Sequence, residues 1–285
     1  MRRTILALSA LAMIVPLALA VPVLAPLAAR DKITDAQALA VVLADTRRDA
    51  DRARDRDRHP AATLAFFRVK PGMTVVDYDP GGGWYTRVLV PSLGEKGRYI
   101  GLNPDVRNAS AGMQKSQGGL HEAFPALIAG WSIAPGAPIE AWNSDGLPAS
   151  LNGKADRVLI MRWVHNLWRA DLLRRELATI RGLLKDDGLL GIEEHRAKGK
   201  SPVSYTDGSM GYMREADVIA LIEACGFELV GRSEINANRK DPANHARGVW
   251  MLPPNLSGVT DPAEKARLIE IGESDRMTLL FKKRR

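Results

Sequence analysis

Apolar and polar positions along this chain follow two periods. Residues 73–78 form a short apolar, β-branched run, and residues 98–102, 139–142, 157–161, 189–193, 227–232 and 278–281 repeat that signal with varying strength. Each predicts a strand. The run 189–193 is apolar without alternation, as in a parallel strand covered on both faces. Between the strands the period changes. Leu173, Leu177, Ile180 and Leu184 recur at helical spacing, as do Val218, Leu221, Ile222 and Cys225. Both stretches predict helices with one buried face. Asp186-Asp187-Gly188 stops the first, and Gly226 closes the second where a C-cap favours glycine. Residues 86–93 predict another helix, just after a glycine-rich turn. Strands alternating with helices predict an α/β fold: a doubly wound, mostly parallel seven-stranded sheet with helices on both faces.

The flanks differ in character. Residues 31–58 are polar and predict an N-terminal helix; between 47 and 58 acids and bases alternate, with Asp51 and Arg54 one turn apart. This pattern predicts a solvated face with helical ion pairs rather than a binding segment. The sheet domain is expected over 59–285. Within it, residues 236–275 form a long connection rich in Pro, Asn and Gly before the last strand, expected to be a lid or an insertion. At the other end, Arg2 and Arg3 precede an apolar run from Ile5, and Ala18-Leu19-Ala20 offers small residues for cleavage. That is the design of a secretory signal peptide over 1–20, with apolar character continuing to residue 29. It predicts a periplasmic or secreted protein, membrane-anchored through this segment if the segment stays uncleaved.

Composition narrows the chemistry. Of 285 residues, 46% are hydrophobic and 26% charged, which excludes disordered and collagen-like classes. The net charge of +7 is spread along the chain instead of forming a stripe, so no nucleic-acid partner is expected. The single cysteine, Cys225, excludes an intramolecular disulfide and a Cys-built metal site. The five histidines show no His-x-His or His-x-x-x-His spacing, which argues against any metal site.

In doubly wound sheets ligands bind beyond the carboxyl ends of the strands. The first strand delivers Asp77-Tyr78-Asp79-Pro80-Gly81-Gly82-Gly83 to that edge. Glycine lets backbone approach a ligand closely and take positive φ. His165 follows the fourth strand and is a candidate base. Glu193, Glu194 and His195 follow the fifth; on an extended strand Glu193 and His195 share a face, so they are the expected acid–histidine pair. Trp84, Trp142, Trp163 and Trp168 also fall near strand ends and offer stacking surfaces, and Tyr205 and Tyr212 are placed near the acceptor pocket.

At these residues the chain resembles a family. A strand, an acid, a glycine-rich loop and a helix, followed much later by "EACGFELV" and a terminal strand, are similar to class I S-adenosylmethionine-dependent methyltransferases. The stretches "HPAATLAFFRVKPGMTVVDYDPGGGWYTRVL" and "DGSMGYMREADVIALIEACGF" resemble an exported bacterial group of predicted methyltransferases. The resemblance spans roughly residues 47–283 and implies S-adenosylmethionine as cofactor and a small-molecule acceptor as partner. It implies that Asp77 helps hold the methionine amine, and that Gly81, Gly82 and Gly83 lie beside the ligand. It puts Asp79 where the family has its first glycine, Asn103 where the family has a ribose-chelating acid, and Asp145 where an acid lies near adenine. These two departures, Asp79 and Asn103, also admit a non-catalytic protein of the same fold binding another periplasmic ligand.

Overall fold

The computed structural model describes residues 34–285. The signal-like segment and its cleavage site lie outside the described residues. Seven strands form one sheet: β1 (Thr74–Tyr78), β2 (Arg98–Asn103), β3 (Ile139–Asn143), β4 (Ala155–Met161), β5 (Leu184–His195), β6 (Phe227–Ser233) and β7 (Arg276–Lys283). Their order is β3-β2-β1-β4-β5-β7-β6. The first five are parallel neighbours, and β7 enters antiparallel between β5 and β6. Strand order therefore reverses between β1 and β4, and the crevice opens beyond their carboxyl ends.

Both sheet faces are covered. On one, Val76, Tyr78, Ile160 and Ile192 pack with Leu173, Leu177 and Ile180 of the helix Leu173–Leu183 and with Val218 and Ile222 of the helix Glu215–Ala224. On the other, Val75, Tyr99 and Leu159 pack with Val88 and Leu89 of the helix Thr86–Leu93 and with Leu64 of the helix Pro60–Phe66. Burying each such aliphatic side chain contributes about 1.5–3 kcal/mol, the main term holding these layers together.

The structure departs from the sequence pattern in three places. β5 begins at Leu184, so Asp186-Asp187-Gly188 lies within the strand, beside a register shift against β4. The connection 236–275 is not wholly irregular. It contains the helix Pro262–Ile271, whose N-cap Asp261 accepts hydrogen bonds from the backbone N–H of Ala263 and Glu264. The polar segment is not one helix. It breaks into the helix Asp35–Leu43 and the short turns Asp49–Arg52 and Asp55–Arg58. Nor is it a solvated face, because Arg48, Asp51 and Arg58 are buried.

Candidate functional site

A cavity of ≈ 320 Å³ opens at the carboxyl ends of β1, β4 and β5. Asp77, Asp79, Gly81 and Gly82 form one wall, Arg162, Trp163, His165 and His195 line it too, and Trp250 and Ser274 come from the connection before β7. Arg54 and Arg58 of the N-terminal segment complete the lining. The segment read as solvated is thus part of the site.

The β1 loop is built for close approach. Gly81 has φ +51°, and a Cβ at Gly82 would meet no heavy atom within 4 Å. Asp79 adopts φ 55°, a left-handed conformation that favours glycine. Asp77 accepts a hydrogen bond from the Tyr99 hydroxyl at 2.8 Å. Burial pushes Asp77 up to about 7, against the opposing Tyr99 hydrogen bond. Burial likewise pushes Asp79 up to about 6, with Arg162 and the Gln117 side chain opposing. Two carboxyl groups held near neutrality in a cavity wall fit a cationic ligand.

Three residues expected at the ligand lie outside this cavity's lining. Gly83 is outside the cavity lining; a Cβ there would meet the Trp131 ring at 2.4 Å, so its missing side chain serves packing. Asn103 is buried, and its amide donates to the Gln117 carbonyl at 2.9 Å, as the Asn143 amide does at 2.8 Å. Asp145 lines a separate hollow and pairs with Arg107 at 3.2 Å.

The acid–histidine pair is not Glu193 with His195. His165 Nδ1 contacts Glu194 Oε1 at 2.9 Å, while His195 Nδ1 contacts the Ser274 hydroxyl at 2.6 Å. Glu194 turns toward His165 because β4 and β5 are neighbours and His165 opens the helix Val164–Arg169 directly after β4. Burial, with His165 and nearby arginines adding to it, keeps the His195 ring neutral. His165, Glu194 and His195 each bring a donor atom within 4.8 Å of the others. The sequence spacing of the histidines hid this convergence.

Glu193 instead joins a buried ionic cage. It accepts from Arg162 and from Arg276 at 2.9 Å each, and Arg276 also donates to Glu273 at 3.0 Å. Glu273 further accepts from Arg54 at 2.8 Å and Arg58 at 3.0 Å. Burial disfavours ionised Glu273, but Arg276, Arg58, Arg162 and Arg54 outweigh it and hold the carboxyl at about 2. Desolvation, reinforced by Arg162, pulls Arg58 down to about 9. The Arg58 guanidinium lies 4.6 Å from the Trp84 ring centre, so Trp84 serves as a cation platform. Trp163 lines the cavity with its Nε1 buried and unpartnered, whereas Trp168 is exposed and Trp142 stacks on His121. Tyr205 and Tyr212 stack on each other, Tyr212 donating to Asp241, and neither lines the cavity.

Strand order, the reversed last strand and a crevice at the β1 loop define the class I methyltransferase fold. No protein-family model matches the sequence. No curated protein matches it either. Among solved structures, a SAM-dependent methyltransferase from Aquifex aeolicus is 18% identical, with 67% of this chain and 94% of that one covered and a TM-score of 0.44. A Haloferax volcanii protein solved in complex with the Trm112 methyltransferase activator is 17% identical, with 87% and 98% covered and a TM-score of 0.49. Burkholderia thailandensis 1,6-didemethyltoxoflavin-N1-methyltransferase, solved with 1,6-didemethyltoxoflavin and S-adenosylhomocysteine, is 16% identical, with 92% and 93% covered and a TM-score of 0.43.

Proposed function

We propose that this protein transfers a methyl group from S-adenosylmethionine to a small-molecule acceptor. The carrying observation is the β1 wall: Asp77 and Asp79, held near neutrality by burial, beside the bare backbone of Gly81 and Gly82. Those carboxylates would hold the methionine ammonium. Outside that lining, at the end of β2, Asn103 Oδ1 and the nearby Gln117 Oε1 are buried acceptors with no donor among the described residues. An unsatisfied buried acceptor is costly, and ribose hydroxyls would satisfy both. Bound cofactor would supply an electrophilic methyl group on sulfonium sulfur.

The chain's own contribution is alignment and exclusion of water. Arg54, Arg58 and Trp250 line the cavity, and so do Trp163, His165 and His195, which we assign to the acceptor. We also read residues 1–20 as an export signal, so the mature chain acts outside the cytoplasm; N-terminal sequencing of the secreted form tests this.

Calorimetric titration of the full chain with S-adenosylmethionine, S-adenosylhomocysteine and, as control, NAD tests the cofactor. Micromolar binding of the first two alone is expected. Gly82→Val places a side chain in the cavity without touching the fold, so it should weaken that binding at least tenfold at an unchanged unfolding midpoint. A folded wild-type chain that binds neither compound overturns the reading in favour of a protein of this fold that binds another ligand.

A further inference from the structure

We infer that His165, Glu194 and His195 form a binding site for a divalent transition-metal cation at the acceptor end of the cavity. The inference rests on three observations of these residues, and it deepens the methyl-transfer reading by assigning how an acceptor would be held.

The first is proximity. One donor atom from each residue lies within 4.8 Å of the others, and all three residues are buried or nearly so. His165 Nδ1 and Glu194 Oε1 are 2.9 Å apart. Ligands 2.0–2.1 Å from one metal stand about 2.9 Å apart when they are octahedral neighbours and about 3.4 Å in a tetrahedron. A cation can therefore take the place of the proton these two atoms share. The two imidazole centres are 5.4 Å apart. A metal just over 2 Å beyond a ring nitrogen sits about 3.2 Å from the ring centre, so rings at that spacing subtend about 115° at it. That angle is close to the tetrahedral value, which the His165–Glu194 pair reaches by opening about 0.5 Å.

The second is charge. Glu194 is fully buried, yet its partners are His165 and two backbone N–H groups, of His165 and His195; no arginine or lysine pairs with it among the described residues. Its sequence neighbour Glu193 has two arginines. A buried carboxylate without a full cationic partner is unfavourable, and a metal ion removes the deficit.

The third is the outer layer. The His195 ring is fixed by Ser274 through Nδ1, which leaves its other nitrogen for the cation. Metal-bound histidines are commonly held through the second nitrogen in this way. With three protein ligands, positions stay open toward the cavity, as in catalytic sites. There the cation would ligate an oxygen or nitrogen of the acceptor and favour its deprotonated form. The buried Nε1 of Trp163 has no partner among the described residues and would be a donor for such an oxygen.

The test uses the tag-free full chain, stripped with a chelator and titrated calorimetrically with Zn(II), and with Co(II) followed by visible absorption. One equivalent should bind with micromolar or tighter affinity, and the Co(II) bands should report nitrogen ligation. His195→Ala and Glu194→Gln should each weaken binding at least 30-fold. Ser274→Ala, which leaves all three ligands in place, should weaken it about tenfold. His121→Ala, outside the cavity, should leave it unchanged. A folded wild-type chain that binds no metal, or binding indifferent to both His195→Ala and Ser274→Ala, overturns the site. Titrating S-adenosylmethionine with and without metal separates the two readings. Metal binding without cofactor binding retains the site and rejects the methyltransferase; the reverse does the opposite.

Discussion

Asp79 carries the conformational cost of the ligand loop. Its φ of 55° lies in the left-handed region, and burial pushes its carboxyl up to about 6. The backbone conformation costs stability at any pH, and burial adds to that cost once the group ionises. An acid whose folded pKa is raised loses native stability as pH climbs from its unfolded value, near 4, through its folded one. Asp79→Gly should therefore stabilise the chain by about 1 kcal/mol at pH 8, and by less at pH 4. Urea unfolding at the two pH values checks this; a destabilised variant would mean that the Gln117 contact outweighs the strain. That Asp77, Gly81 and Gly82 would stand at the crevice was legible in the sequence, because a doubly wound sheet fixes which loop reaches it. The role of Gly83 was not. Its missing Cβ faces Trp131, and no local pattern records which neighbour fills the far side of a turn. His165 was legible as a crevice residue, but its partner was not. Strand alternation favoured Glu193 with His195, and the pairing of β4 with β5 put Glu194 beside His165 instead.

At the scale of elements, local charge pattern misled where tertiary contacts compete. The alternating acids and bases of residues 47–58 suggest pairs one turn apart. In the folded chain Arg54 and Arg58 reach Glu273, Arg48 reaches Asp55, and Asp51 reaches Arg87. The segment is thereby pinned over the cavity, with Glu273 as its main anchor. Removing that charge leaves three arginines, Arg54, Arg58 and Arg276, short of a partner in a buried place. Glu273→Gln should cost about 3 kcal/mol, because breaking a buried pair strands the remaining charges. The pH signature is distinct. Glu273 is held at about 2, so its contribution is present above its unfolded pKa, near 4.5, and fades as pH falls toward 2. Thermal unfolding of wild type and variant between pH 2 and 6 should show curves that converge at the acid end. Parallel curves would mean that Glu273 is not the anchor. The helix Pro262–Ile271 had a readable start in Asp261-Pro262, yet the surrounding Pro, Asn and Gly content obscured it.

Across the whole molecule, the sheet sets opposite charges into one crevice. β1 and its loop contribute Asp77 and Asp79; the N-terminal segment and the residue after β4 contribute Arg54, Arg58 and Arg162, which Glu273 and, behind the lining, Glu193 and Arg276 hold in place. Such an arrangement suits a ligand with a cation at one end and an anion at the other. The seven-stranded α/β sheet that carries it was readable from seven apolar runs, while the cage was not, since its members are scattered along the chain and Arg54 and Arg58 meet Glu273 from more than 200 residues away. The titration of the β1 wall then links binding to pH. Asp77, facing Tyr99, Asp79 and Arg162, stands at about 7, and Asp79, facing Arg162 and Gln117, at about 6. At pH 6.5 the ligand-free wall still holds protons. A bound ammonium or sulfonium favours the ionised carboxylates, so S-adenosylmethionine should displace those protons as it binds. Affinity should rise between pH 5.5 and 7.5, as both groups come to be ionised without ligand and before the ligand's own ammonium begins to titrate. Calorimetry at pH 6.5 in two buffers of different ionisation enthalpy should give unequal apparent heats. Asp77→Asn should shrink the inequality by removing one of the two titrating groups. Equal heats at pH 6.5 would show that the ligand's cation does not meet this wall, and would assign it to another part of the crevice.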